Sequence, residues 1–389
     1  MMRKLTSILV AILFFGFTAY SQNFEPAKIS GDDFQELDVK VGGDFAIQLQ
    51  SLDHEAPNVT LKDLPHNFNL PTANLNITAD LAPGIQLYIN NFMSSRHHNE
   101  AWVEGGYLII DKLPFLPAAD NIMEYITIKA GVMSPNYGDA HFYRSNNAAV
   151  TNNPFVGNWI MDSYTTNPGI EFMYRNKGII AMAGTNNGRL NYGRGNDILE
   201  DLVFNWKLGY DTQINDDLRV RATVSGYHVP TDHSGSYLWG GDRAGARYYG
   251  VMDTISGDNY KSGRWDPASG QTEMSSYQAN LFVQFHGFEL FGMYETMKGV
   301  RKDLDQNFTQ LGVQAKYTIG AFYLATRYNS VDDNLGSTAT RLNFGGGWNM
   351  VNNVLIKLDY VTQSYEGIAH AHIDGGKFNG LVMEAAISF

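Results

Sequence analysis

Period-two alternation runs through the second half of the chain and narrows the folds open to it. In Gln310–Thr318, Leu311, Val313, Ala315 and Tyr317 alternate with Gln310, Gln314 and Lys316. In Ala321–Asn329, Phe322, Leu324, Thr326 and Tyr328 alternate with Tyr323, Arg327 and Asn329. Arg341–Met350 sets Leu342, Phe344, Trp348 and Met350 against Arg341, Asn343 and Asn349. Val354–Gln363 sets Val354, Ile356, Leu358 and Tyr360 against Lys357, Asp359 and Gln363. Successive side chains of a strand point to opposite faces, whereas a helix gathers apolar positions every third or fourth residue. Each segment therefore reads as a strand with one apolar and one polar face. Only Ile319-Gly320 separates the first two, the length of a hairpin turn.

The same reading along the whole chain gives about sixteen strands. They lie near 45–54, 73–80, 84–95, 99–111, 124–135, 169–175, 178–186, 200–211, 216–229, 274–286, 288–298, 306–318, 321–330, 338–350, 353–364 and 377–389. Connections on one side are short: Leu81–Pro83, Asn176-Lys177, Thr212–Asn215, Gly287, Ile319-Gly320 and Val351-Asn352. Those on the other are longer: Asn136–Pro168, Asn187–Leu199, Pro230–Glu273 and Tyr365–Gly376. Short periplasmic turns and long external loops belong to an outer-membrane barrel. A soluble sandwich gives no reason for the asymmetry. The expected class is all-β, a transmembrane antiparallel β-barrel of about 16 strands with an inward-folded constriction loop. The exception is Asp111–Met123, a long connection on the short-turn side that reads as a short helix or a plug-like segment.

Residues 1–21 carry Arg3 and Lys4, the apolar run Leu9–Phe17, and the small residues Ala19 and Ser21. This is the pattern of a secretory signal peptide cut near Ser21. The apolar run falls short of the roughly 20 residues a membrane-spanning helix needs. Residues 22–44 are acidic and weakly patterned, an expected periplasmic lead-in, which leaves 45–389 for the barrel. With no cysteine, disulfides, thiolate metal sites and a lipoprotein anchor are excluded. The formal charge of −12 weighs against nucleic acid as a partner. The last strand places Leu381, Met383, Ala385, Ile387 and Phe389 on one face. Ending on an aromatic residue, it resembles the C-terminal signal by which outer-membrane barrels are recognised for assembly.

These sixteen strands, the strand Tyr125–Met133 leading into the long loop Asn136–Pro168, and the terminal Phe389 carry a family resemblance. The chain is similar to a general bacterial porin of the Gram-negative outer membrane, more particularly to the phosphate-selective porin O/P-like group. The resemblance covers nearly all of the chain after residue 21 and rests on architecture, not on a short motif. It implies a homotrimer in the outer membrane. Phosphate-selective members carry dense arginine and lysine clusters along the pore, whereas this loop holds Arg144 alone.

A barrel of ~16 strands leaves an aqueous channel where ~8 strands fill with side chains. With the large apolar residues facing lipid, parity sends Lys129, Arg175, Lys207, Arg219, Arg221, Lys316, Arg327, Arg341 and Lys357 into the lumen. It sends Glu171, Asp201, Asp217, Glu289, Glu295, Asp359 and Glu384 there too. The wall is then slightly basic although the chain is acidic. Charge lining a pore biases which ions enter, so a weak anion preference is expected. Pairing of these charges across the wall, serving only the barrel's shape, fits the same residues.

The loop Asn136–Pro168 is the natural filter. It is rich in Asn, and Asp139, Arg144 and Asp162 are its only formal charges. Asn146, Asn147 and its other amides would bond neutral polar solutes. Phe142, Tyr143, Phe155, Trp159 and Tyr164 would anchor it to the wall or stack against sugars.

His370 and His372 with Asp374, and His97 with His98, are loop residues more simply read as exposed side chains than as metal ligands. No spacing joins a nucleophile to a base, so neither enzyme activity nor a cofactor is expected. The main reading is a porin giving passive diffusion of small polar solutes or ions, with outer-membrane lipid around it. The alternative is a non-conducting barrel subunit of a larger envelope complex. Its contact surface would be Tyr237, Trp239, Tyr248, Tyr249, Tyr260 and Trp265 in the loop Pro230–Glu273.

Overall fold

All the alternating segments form strands. The computed structural model describes residues 22–29, 31, 34–93, 102–144, 150–190, 201–230, 238–239, 248–255, 263–265, 273–301, 305–367, 370 and 372–389. The strands are β1 Asp38–Glu55, β2 Asn67–Ala82, β3 Ile85–Met93, β4 Trp102–Ile110, β5 Ile126–Met133, β6 Asn167–Asn176, β7 Ile179–Asn186 and β8 Val203–Gln213. They continue as β9 Leu218–Val229, β10 Met274–Phe285, β11 Phe288–Arg301, β12 Gln306–Ile319, β13 Phe322–Asp333, β14 Thr338–Val351, β15 Val354–Glu366 and β16 Lys377–Ser388. Each pairs with its neighbours in sequence, and β1 closes the barrel on β16. All the pairings are antiparallel. At the seam Phe45 faces Ile387 and Glu55 faces Lys377. Gly43 and Phe389 exchange two main-chain hydrogen bonds of 3.0 Å.

The wall has two chemistries. Leu324, Phe344 and Leu358 on the outside are more than half exposed, while Arg327, Arg341 and Lys357 on the inside have almost no accessible surface. A continuous apolar exterior is what lipid requires of a closed barrel, in which every strand edge is paired.

The strands differ from expectation mainly at the start. β1 begins at Asp38, so part of the acidic stretch 22–44 is already wall. β2 begins at Asn67, because Pro71 hides its first part from a period count. Ala46 faces Thr72 and Gln48 faces Asn69, which leaves Leu70 and Pro71 opposite Ile47. This is a β-bulge, where a residue without an N–H is tolerated.

One short turn has the two-residue hairpin geometry at both of its central residues. At Lys177-Gly178 both residues have positive φ (48° and 87°), the twist that a two-residue hairpin needs. The long connection after β4 forms a 3-10 turn, Pro117–Ala119, and a single helical turn, Asp120–Met123. Its Phe115 and Ile122 are exposed, so it is the short helix of the two alternatives and does not plug the barrel. Asp201 and Asp217, assigned inward by parity, lie in the connections before β8 and β9 and are exposed.

Candidate functional site

A loop buried inside a barrel must find partners for its main-chain polar groups. None of the described residues of 134–166 is exposed, and the wall supplies those partners from several directions. At the first anchor, the Asn136 N–H donates to Glu171 Oε1 at 2.7 Å. The Asp139 N–H donates to Asn280 Oδ1 at 2.9 Å. Tyr137 donates its hydroxyl proton to Glu295 Oε1 at 2.9 Å. Gly138 has φ of 67°, and a Cβ there would run into the Gln278 amide. Glycine thus lets the backbone lie against β10.

At the second anchor, the loop reaches β12 to β15. The N–H groups of Ile160 and Met161 donate to Asn329 Oδ1 at 2.7 Å and Gln310 Oε1 at 3.0 Å. Arg327 donates to the Gly157 carbonyl at 2.8 Å and to Asn153 Oδ1 at 2.9 Å. Its guanidinium lies 4.3 Å from the Trp159 ring centroid. Arg341 donates to the Asn158 and Gly263 carbonyls. Lys357 donates to the Val150 carbonyl at 2.9 Å and pairs with Glu384 at 2.7 Å. On β4, Glu104 accepts from the Tyr164 hydroxyl at 3.1 Å. The loop therefore spans the lumen and joins opposite parts of its wall.

The nine basic residues assigned to the lumen divide into three groups. Lys207, Arg221, Arg327, Arg341 and Lys357 are fully buried and bond the loop directly. Lys316 pairs with Glu289 at 2.9 Å, and Arg219 pairs with Asp211 at 2.7 Å. Lys129 is half-buried over the Tyr107 ring at 4.2 Å, and Arg175 is half-buried near the short-turn mouth.

Of the loop residues, Asp139 joins Arg221 and Lys207, Arg144 pairs with Asp162, and Trp159 faces Arg327. Asn146 and Asn147 lie outside the described residues, as do His97 and His98. His370 is buried, with its ring centroid 4.3 Å from that of Trp265. Trp239, Tyr248 and Trp265, expected on an outer contact surface, are buried in the external half of the barrel. Tyr237 and Tyr260 lie outside the described residues.

The cluster that sequence reasoning missed involves the N-terminal segment. Residues 22–29, expected as a lead-in, enter the barrel mouth beside the loop. Arg221 donates to both oxygens of Glu25, at 2.7 and 2.8 Å, and Lys207 lies 3.4 Å from Glu25 Oε1. The same two cations hold Asp139, Arg221 at 2.8 Å and Lys207 at 2.9 Å. Phe24 packs between Phe142 and Phe282 and lies 4.3 Å from the Arg221 guanidinium. Nothing in the spacing of 22–29 signals this role.

Burial raises the Glu25 carboxyl, but Lys207 and Arg221 more than offset it and bring the pKa to about 2. Asp139 balances the same opposing influences and lies lower still. His141 is pushed down to about 3 by burial and then by Lys207, and it is neutral at physiological pH. Glu25 is thus a carboxyl whose folded value lies below its ordinary 4.5. Its contribution is complete above that value and is lost as pH falls through about 2. Thermal stability should therefore be flat in Glu25's contribution from neutral pH down to about 5 and fall below it, while Glu25→Gln flattens that acid limb.

No protein-family model matches the chain, and no curated protein matches it. Solved structures do match. An anion-selective porin from Comamonas acidovorans is 12% identical with a TM-score of 0.55, over 91% of this chain and 100% of that one. The outer membrane channel DcaP of Acinetobacter baumannii is 9% identical with a TM-score of 0.55, over 91% and 98%. OmpT of Vibrio cholerae, in a trimer form, is 11% identical with a TM-score of 0.54, over 91% and 100%. Likeness at such identities speaks for fold: the chain has the closed sixteen-stranded barrel of the outer-membrane porins.

Proposed function

We propose that the protein is a passive outer-membrane channel for small polar solutes, with a weak preference for anions. The observation that carries this reading is the loop 134–166, which spans the lumen of a sixteen-stranded barrel. Among the described residues, Arg327 and Arg341 have no carboxylate at ion-pair distance and bond neutral carbonyl and amide oxygens instead. Asp359 acts on both through space, so two guanidiniums share one carboxylate and the bias toward anions is weak.

Phosphate selectivity, which the family resemblance suggests, asks for clustered uncompensated cations. Here Arg144 is paired with Asp162, and Lys207 and Arg221 are paired with Glu25 and Asp139. The proposal therefore stays with small polar solutes. A homotrimer, the form of one OmpT structure, is part of it. The non-conducting alternative loses support, because Trp239, Tyr248 and Trp265 are turned into the barrel.

Planar-bilayer recording and liposome swelling test the reading. Because the N-terminal segment, the constriction loop and parts of 238–265 all occupy the interior, a small conductance is expected. Its reversal potential under a salt gradient should lie toward the anion side. Cation selectivity would remove the anion preference, and a barrel silent in both assays would remove the channel.

A further inference from the structure

The Glu25 cluster is more than a structural ion pair. Three cations, Lys207, Arg219 and Arg221, meet three carboxylates, Glu25, Asp139 and Asp211. Glu25 differs from the other two in its attachment. Asp211 is on a strand, and Asp139 sits in a loop bonded to the wall at both ends. Among the described residues, no main-chain to main-chain hydrogen bond ties 22–27 to the barrel. Side chains hold this segment: Arg219 donates to the Gln22 carbonyl at 2.9 Å, Arg175 to the Pro26 carbonyl at 2.6 Å, and Gln22 Nε2 to the Phe142 carbonyl at 3.3 Å. A cavity of about 340 Å³ lies beside it, lined among others by Phe24, Glu25, Arg175, Asp211, Arg219 and Arg221.

We infer that Lys207 and Arg221 form a binding subsite for the carboxylate of a small organic solute, and that Glu25 occupies it as an internal stand-in. The inference rests on the channel reading for its biological sense, though not for its chemistry. Withdrawal of Glu25 leaves three cations facing two carboxylates beside that cavity, with Lys207 and Arg221 the most buried of them. A buried charge stripped of its partner is strongly unfavourable, so the vacated position calls for an anion. The guanidinium presents two donors to one carboxylate, the geometry that planar carboxylates match. Asp139, held by the same cations, opposes a second or third negative charge and so disfavours phosphate relative to a monocarboxylate. Phe24 over Arg221 marks where the apolar body of such a solute would lie.

Chemical rescue in detergent tests this without any conductance. Glu25→Ala opens the position, and sodium acetate is compared with sodium chloride and acetamide at matched ionic strength. The variant should melt below the wild type, and acetate should recover most of the loss, while chloride and acetamide do not. Wild type and Glu25→Gln, whose position stays filled, should not respond to acetate. Adding Arg221→Met to Glu25→Ala should abolish the rescue. Equal responses to acetate, chloride and acetamide would overturn the subsite. If Glu25→Ala does not fold, a deletion of residues 22–27 is put through the same comparison, with the same result deciding. A silent bilayer with intact rescue would sink the channel reading alone, and a conducting barrel without rescue would sink the subsite alone.

Discussion

Asp139→Ala is expected to destabilise the barrel by on the order of 3–5 kcal/mol, the penalty for breaking a buried ion pair from one side. The Asp139 carboxylate is 1% exposed. It accepts from Arg221 Nε and Nη2 at 2.8 Å each, from Lys207 at 2.9 Å and from Thr223 at 2.8 Å. Its removal leaves two buried cations with Glu25, together with the more exposed Asp211 at the edge of Arg221. It also cuts the constriction loop from β9. Two readouts should therefore move together: denaturant midpoint in lipid vesicles falls, and open-channel current becomes larger and noisier. A lower midpoint with an unaltered current would mean that the loop is held without this cluster. An unchanged midpoint would mean that water compensates the cations.

Lys357→Met should have an effect of similar size at the far end of the loop. Lys357 and Glu384 have no exposed side-chain surface, and the ammonium also donates to the Val150 carbonyl. Methionine keeps the length of the side chain but strands the Glu384 carboxylate, again at about 3–5 kcal/mol. The double change Lys357→Met with Glu384→Gln removes the stranded charge, and Gln can still accept from Gln48, which now donates to Glu384 at 3.1 Å. Most of the loss should then return. Its failure to return would assign the cost to the loop contact with Val150 and not to the charge.

How much of this was legible in the sequence depends on what each residue touches. A strand between lipid and lumen must alternate, so β12 to β16 could be read from the chain alone. Pro71 concealed the first part of β2, because a bulge breaks the period at the residue that makes it possible. Asp201 and Asp217 were placed inside because alternation was counted past the strand ends, where it no longer describes direction. The loop after β5 could be recognised by its length and polarity, and Asp139, Arg144, Trp159 and Asp162 do sit within the barrel. Their partners could not be read, since these depend on how far apart two strands lie around the wall. Parity turned Arg327 and Arg341 toward the lumen, with pore lining and pairing across the wall both open. They are instead donors to the carbonyls of a loop, a role visible only when the loop is in place. Glu25 left no pattern, because a single side chain meeting a distant pair has no period.

The seam between β1 and β16 has a consequence in time. The strand that opens the barrel wall and the strand that completes it are far apart in the order of synthesis, yet they share one ladder. Phe389, directly after β16, makes its two main-chain bonds with Gly43 in β1. Until β16 pairs with β1 the wall is an open sheet, and the polar interior faces whatever surrounds it. The cargo of that interior, the N-terminal segment and the crossing loop, is made before the wall can shut. The polypeptide is in effect wrapped around its own earlier portions, and the last strand is the flap that seals them in.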